Sequence, residues 1–275
     1  MTHREATQPE KAQRFQALHE RAGVFVIPNP WDVGSARILE SLGYEALATT
    51  SAGYAFSTGR LDGAVGLDEM IEHCRILCAA TSLPVSADLE NGYADDPKTV
   101  AKALMRGAEA GLVGGSIEDF SGNPAKPTYD FSLAVERVQA AAEAVKKLPF
   151  KFMFSARADG LLHGTTDLDE IIHRLQAYEA AGADVVYAPG LKTLEDLKRV
   201  TSALKKPFNA NMSSFPNATV TQLGEAGAKR ISTGGGLARA AIGAFLRAAR
   251  EMQAPGTFTW IESAASGAEM KKLLG

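Results

Sequence analysis

The sequence predicts a single closed barrel of eight parallel strands alternating with helices, and three observations carry that expectation. Short β-branched or apolar runs alternate about eight times with longer amphipathic stretches over 275 residues, which is the strand count of a closed parallel barrel. Ala110-Gly111, Ala181-Gly182 and Ala226-Gly227 each precede a strand candidate, and glycine there suits the left-handed residue that closes a helix. No linker rich in Gly, Ser or Pro interrupts the rhythm, so one domain is expected over 1–275, with the barrel proper at about 24–252. An open doubly wound sheet would call for a glycine fingerprint after the first strand, where the sequence reads PNPWDVGSAR.

The elements follow in order. A helix precedes the barrel, from about Pro9 to Gly23, and the first strand is VFVIPN from Val24. Trp31-Asp32 opens the next helix, with Asp32 as its N-cap. The second strand is ALATTS from Ala46. Leu67, Met70, Ile71, Cys74 and Cys78 then recur at helical spacing as one apolar face. PVSADLE from Pro84 is the third strand, and Asp96-Pro97 marks a helix start. GGSIED from Gly114 and FKFMFSAR from Phe150 flank the amphipathic stretch from Asp130. Another helix runs from Thr166 to DVVYAP at Asp184, and Thr193 caps the one after it. PFNANM from Pro207 and KRISTG from Lys229 complete the set. The tail from Thr257 to Gly275 ends in a helical pattern that suits packing against a second copy, so a homo-oligomer, dimer or tetramer, is expected.

Composition narrows the function classes. With 45% hydrophobic and 22% charged residues the chain is globular. Lys+Arg 29 against Asp+Glu 32 leaves a net charge of −3, no excess with which to neutralise phosphates, so nucleic acid is not an expected partner. No apolar run approaches the ~20 residues of a membrane span, and the polar start lacks a signal-like apolar core, so a soluble cytoplasmic protein is expected. Both cysteines sit on the apolar helical face and read as core. A disulfide framework would need more of them, and a zinc site two further ligands.

In such a barrel the working residues lie at the carboxyl ends of strands. Asp88 and Glu90, two apart after the third strand, are expected on the same side. The fourth strand adds Glu118 within Ile117-Glu118-Asp119, the fifth adds Arg157 within Ala156-Arg157-Ala158-Asp159, and the seventh presents Asn209, Asn211 and Ser213. Carboxylates crowded at one rim raise each other's pKa, and a hard divalent cation resolves the conflict.

Those segments, D-x-[DE]-x-G at Asp88 to Gly92, I-E-D at Ile117 to Asp119 and A-R-x-[DE] at Ala156 to Asp159, occur in the order and spacing of a known family. Thr50-Ser51-Ala52-Gly53 and the A-Y-x-x-A-G-A-D run from Ala177 to Asp184 agree. The chain resembles the isocitrate lyase and phosphoenolpyruvate phosphonomutase superfamily from about Val24 to Met252. The resemblance implies a Mg²⁺-dependent enzyme, with Mn²⁺ as an alternative ion, acting on a small 2-oxo or 2-hydroxy carboxylic acid through a pyruvate-like enolate. It implies that Asp88 binds the metal directly, while Glu90, Glu118 and Asp62 hold its waters. Ser51, Ala52 and Gly53 would bind the substrate carboxylate, Arg157 the enolate oxygen or carboxylate, and Asn211 and Ser213 the rest. Asp88, Glu118 and Arg157 are the catalytic candidates.

The lyases of this superfamily carry a Lys-Lys-Cys-Gly-His loop after the fourth strand. Here the loop from Asp119 to Tyr129 has no Cys, so this chain is placed in a branch without it, and decarboxylation of an oxaloacetate-like 2-oxo diacid is the expected reaction. Three alternatives stand beside it: C–P bond chemistry on phosphonopyruvate using Asn123 and Lys126, a C–C lyase using another acid or base, and a non-catalytic 2-oxo acid binder. Thr233-Gly234-Gly235-Gly236 reads as a structural turn. His163 reads as a solvated loop imidazole and stays outside the candidate set.

Overall fold

A computed structural model of the protein describes residues 6–275. The chain opens with α1 (Gln8–Glu20), whose N-cap Thr7 and N3 Glu10 form a reciprocal capping box. β1 (Phe25–Ile27) leads to α2 (Val33–Ser41), started by Asp32 as expected. β2 (Leu47–Ala48) is followed by two helices, α3 (Ser51–Ser57) and α4 (Leu67–Ala80). The repeat then runs β3 (Val85–Asp88), α5 (Pro97–Glu109), β4 (Gly114–Glu118), α6 (Phe131–Val145), β5 (Met153–Arg157) and α7 (Leu168–Ala181). It closes with β6 (Val185–Tyr187), α8 (Leu194–Ser202), β7 (Phe208–Asn211), α9 (Val220–Glu225), β8 (Ala228–Ser232) and α10 (Gly236–Gln253). Asp96 and Thr193 accept their N3 amides as N-caps, and Gly111, Gly182 and Gly227 all adopt positive φ. The local signals in the sequence therefore act as physical stops and starts.

All eight strands are parallel and pair in the order β1-β8-β7-β6-β5-β4-β3-β2. The seam between β1 and β2 is drawn together by the Ala48 N–H donating to the Pro28 carbonyl at 3.0 Å. The result is the expected eight-stranded barrel, nearly closed, with helices around it and one in front. Cys74 is buried in the core on the inner face of α4, and both cysteines are free thiols.

α1 plugs the amino-terminal end of the barrel. Its Phe15 and Leu18 pack on Phe25, Ile27, Val113, Met153 and Val185. The approach is close enough that a Cβ on Gly114 would lie 2.8 Å from the Phe15 ring, so β4 must begin with glycine. Lys11 donates to the Thr81 carbonyl at 2.7 Å, and Gln8 to Ala108 and Leu112, which ties α1 to the ends of α4 and α5.

His19, also on α1, sits between the rings of Phe15 and Phe25 with Nδ1 2.8 Å from the Phe15 carbonyl. Its Nε2 faces Arg230 Nη1 at 3.5 Å. Burial, with the Arg230 cation second, pushes its pKa down to about 3. Since the folded value lies below the unfolded one, this stabilisation is whole above about pH 6.5 and drains away as pH falls towards about 3. His19→Gln keeps a polar side chain without the titration. Urea unfolding between pH 6.5 and 4 should therefore show the wild type losing stability faster than the variant, by up to about 1.4 kcal/mol per pH unit. Parallel slopes would show that His19 is not held neutral.

Beyond the barrel, a 3₁₀ turn (Thr259–Ser263) leads to α11 (Gly267–Leu274), which lies against α2. Of the 18 residues of α10 only Ala238 is buried. Phe245 is 69% exposed, and Ile242, Leu246, Met252, Phe258 and Ile261 are exposed with it, an apolar face left uncovered by the described residues.

Candidate active site

The carboxyl ends of the strands enclose a cavity of about 580 Å³. Asp62, Asp88, Glu90, Glu118, Arg157 and Asn211 all line it. Asp88 ends β3, and its amide donates to Thr49 Oγ1 at 3.0 Å. The Ser51 hydroxyl donates to Asp88 Oδ2 at 2.9 Å, and Asp62 lines the same cavity. Arg157, at the end of β5, answers the cluster. Its Nη1 is 2.9 Å from Glu118 Oε2 and 3.9 Å from Asp88 Oδ1, while Nε and Nη2 grip Asp159 at 2.6 and 2.7 Å. A bidentate grip fixes a planar guanidinium in orientation as well as position.

Asp159 is anchored in turn. Its amide donates to Asp119 Oδ1 at 2.7 Å, and Asp119 Oδ2 accepts from Tyr178 Oη at 2.7 Å and Arg174 Nη1 at 3.1 Å. The Asp of I-E-D and the Tyr of A-Y-x-x-A-G-A-D thus meet in one buried network beneath Arg157. Tyr187 at the end of β6 was not foreseen. Its ring lies 5.2 Å from the Arg157 guanidinium, and its hydroxyl accepts from Asn211 Nδ2 at 2.8 Å.

Arg157 alone cannot neutralise this set, and Arg230, which also lines the cavity, is engaged with Asn209 and Ser155. Burial, then Asp88, pushes the Glu90 carboxyl up to about 7. Burial raises Glu118 as well, with Arg157 opposing, and Asp62 rises through burial and the nearby Asp88. The donors are all oxygens, which suits a hard cation. Among the described residues no three acidic, His or Cys side chains converge into a ready-made chelate. Oxygen donors from several elements around one cavity are nonetheless of the kind that suits a hard divalent cation.

The candidates reach the cavity by different routes from those expected. β3 stops at Asp88, and Glu90 lies in the following turn at φ 48, so a left-handed backbone rather than strand alternation carries it inward. Tyr93 Oη donates to it at 3.1 Å. Asn209 and Asn211 do alternate along β7, but Ser213 belongs to a 3₁₀ turn, with its amide and hydroxyl on Asn211 Oδ1. Asp62, on the loop after α3, lies with the other acids. Ser51 and Ala52 line the wall. Gly53 corrects the expectation: it is buried inside α3, with its N–H donating to the N-cap Thr50 and its α-carbon packed against Trp31 and Ala238. It lies behind the wall because the first turn of a helix rotates its third residue away from its first.

The loop after β4 folds back on itself. Phe120 pairs with Thr128, and the Ser121 amide donates to the Pro127 carbonyl at 2.7 Å. Asn123 accepts from the Ala125 amide of its own turn and Lys126 pairs with Asp130, both exposed and neither on the cavity wall. The turn from Thr233 to Gly236 is held by Asn29, whose Oδ1 accepts from the amides of Thr233 and Gly234.

Comparison with known proteins decides the family. The phosphoenolpyruvate phosphomutase family profile matches residues 15–253. The chain belongs to the phosphoenolpyruvate mutase/isocitrate lyase superfamily. Within that superfamily, a crystal structure of a Burkholderia cenocepacia J2315 protein described as a lyase/mutase is 51% identical, with 96% of each chain covered and a TM-score of 0.94. The structure of 2,3-dimethylmalate lyase, at 27% identity, covers 96% of this chain and 95% of its own with a TM-score of 0.84. Phosphonopyruvate hydrolase in complex with oxalate and Mg²⁺ shares the fold, at 20% identity over 96% of this chain and 94% of its own, TM-score 0.85. This superfamily member is thus an enzyme of lyase or mutase type. Among its described residues no helix is long and apolar enough to cross a membrane.

Proposed function

We propose that the protein is a Mg²⁺-dependent lyase that decarboxylates a small, oxaloacetate-like 2-oxo diacid through an enolate. The observation that carries this reading is Arg157, fixed among Asp88, Glu118 and Asp159, at a rim where the loop after β4 lends Phe120 to the cavity wall while its Asn123 and Lys126 lie off it. Bound Mg²⁺ would supply Lewis-acid polarisation of the substrate's oxo and carboxylate oxygens. Asp88 would hold the ion directly, with Glu90, Glu118 and Asp62 gripping its waters, and Mn²⁺ would satisfy the same donors. Ser51 and Ala52 orient the substrate carboxylate, and Asn211 and Ser213 meet the remainder. Arg157 faces the oxygen on which charge develops when CO₂ departs, and because Asp159 and Glu118 hold it beforehand, no reorganisation is needed at that moment. The C–P reading loses support because Asn123 and Lys126 are engaged within their own loop.

The test is CO₂ release from oxaloacetate by purified protein. Turnover well above that of free Mg²⁺, and lost with EDTA, is the expected result. A rate equal to the free ion's overturns the reading.

We also propose that the protein is a homo-oligomer joined through the apolar face of α10. Light scattering should give a dimer or tetramer, and Phe245→Asp should release the monomer, since a charge replaces a large exposed ring at the centre of the face. A monomeric wild type would refute this.

A further inference from the structure

The proposed reaction leaves an enolate that needs a proton; Glu90, Glu118 and Asp62 are assigned to the metal's waters, and the groups placed against the substrate are already engaged. Arg157 is fully committed to carboxylates, and Asn211 and Ser213 are bonded to each other. His163 is different. It lines the cavity beside Phe120 and Leu162, and His19 and His73 do not. Its ring stacks on Phe120 at 4.0 Å and 7°, and its Nε2 stands 3.9 Å from Asp159 Oδ2, the carboxylate that grips Arg157.

The loop that carries it is built, not slack. The His163 amide donates to the Asp159 carbonyl at 3.1 Å, and the Thr165 amide to the Gly160 carbonyl at 2.9 Å. Gly190, at φ 93 after β6, lets the loop cross the neighbouring turn, for a Cβ there would lie 2.7 Å from the Leu162 nitrogen. The ring is thus flanked by Phe120 of the β4 loop and by Asp159 after β5, while the β6 turn braces the backbone of Leu161 and Leu162 just before it. The charged groups facing it are Asp159 and, through that carboxylate, Arg157 and Asp119. At 29% side-chain exposure it remains in reach of solvent for proton exchange.

We propose that His163 is the general acid that protonates the enolate carbon, an inference that rests on the functional reading above. When the C–C bond breaks, its electron pair stays with the substrate as the enolate and CO₂ leaves. The imidazolium N–H then gives its proton to the enolate carbon, forming a methyl C–H of the product 2-oxo acid, and the neutral imidazole takes a proton from water. One proton is consumed per CO₂ released. Imidazole is the side chain most used for such transfers near neutral pH.

Pyruvate reports this step by itself, because the reverse transfer exchanges its methyl protons. In D₂O with Mg²⁺, ¹H NMR should show exchange catalysed by the wild type and slowed at least about 100-fold in His163→Asn. His163→Gln should behave alike, and added imidazole should restore part of the rate. Calorimetry should find oxalate affinity in both variants within about threefold of the wild type. Exchange in the variants within about threefold of the wild type overturns the assignment, as does a parallel loss of oxalate binding. If the wild type decarboxylates oxaloacetate yet leaves pyruvate unexchanged, the inference fails and the functional reading stands. If it does neither, both fail.

Discussion

Asp88→Ala should abolish Mg²⁺-dependent CO₂ release, by about 10³-fold or more, because the loss of Lewis-acid stabilisation is worth several kcal/mol and each 1.36 kcal/mol is a factor of ten. Asp88 is the acid that the others surround. Ser51 donates to it, Thr49 fixes its amide, and Arg157 Nη1 approaches within 3.9 Å. The same substitution should act on stability in the opposite direction. Asp88 is among the charges that raise the carboxyls of Glu90, Asp62 and Glu118, so its removal relieves repulsion in the metal-free protein. A metal-free variant that melts at or above the wild-type temperature, yet binds neither Mg²⁺ nor oxalate by calorimetry, is the expected pair of results. The sign follows from linkage. Glu90 is raised to about 7, so its contribution to stability is whole below about pH 4.5 and lost as pH rises through about 7. Mg²⁺ should accordingly raise the melting temperature of the wild type more at pH 8 than at pH 6, and that difference should vanish in the variant. Retention of activity within about tenfold would remove Asp88 from the centre of the site.

How far the sequence alone reaches is visible in individual residues. Asp88, Glu118 and Arg157 were legible because each is the last residue of a strand, where pattern, parity and barrel geometry agree. Glu90 and Ser213 line the cavity although both lie past the ends of their strands, so strand alternation is not what brings them there. Strand ends are set by where the ladder runs out of partners, which is not a local property. Gly53 was misplaced because the turn after β2 becomes a helix immediately at Ser51. Tyr187 left a signal in the terminal position of its strand, equivalent to that of Arg157, and their paired register makes them neighbours. Asp119 and Tyr178 each stood in a motif, but that the two meet left no local signal, for the partners of Asp119 are 55 and 59 residues away.

Asp119→Ala should be the most destabilising single change beneath the site, costing about 3–5 kcal/mol. The carboxylate is 3% exposed, and Arg174 beside it is 6% exposed. Without Asp119 the Arg174 guanidinium loses one of its two carboxylate partners, and the Tyr178 hydroxyl and Asp159 amide lose their acceptor. For a chain of this size the melting temperature should fall by roughly 10 °C. Tyr178→Phe removes a single hydrogen bond from the same network and should cost only about 1 kcal/mol. The consequence reaches the active site because Asp119 is tied to the strand bearing Arg157 twice: its side chain accepts the Asp159 amide, and its own amide donates to the Arg157 carbonyl at 3.1 Å. At a temperature where Asp119→Ala is still folded, oxalate affinity in the presence of Mg²⁺ should be lower by about tenfold, while Tyr178→Phe binds as the wild type does. Were both variants to bind oxalate normally, Asp159 would be held by Arg157 alone, and the buried network beneath it would serve the fold without serving the site.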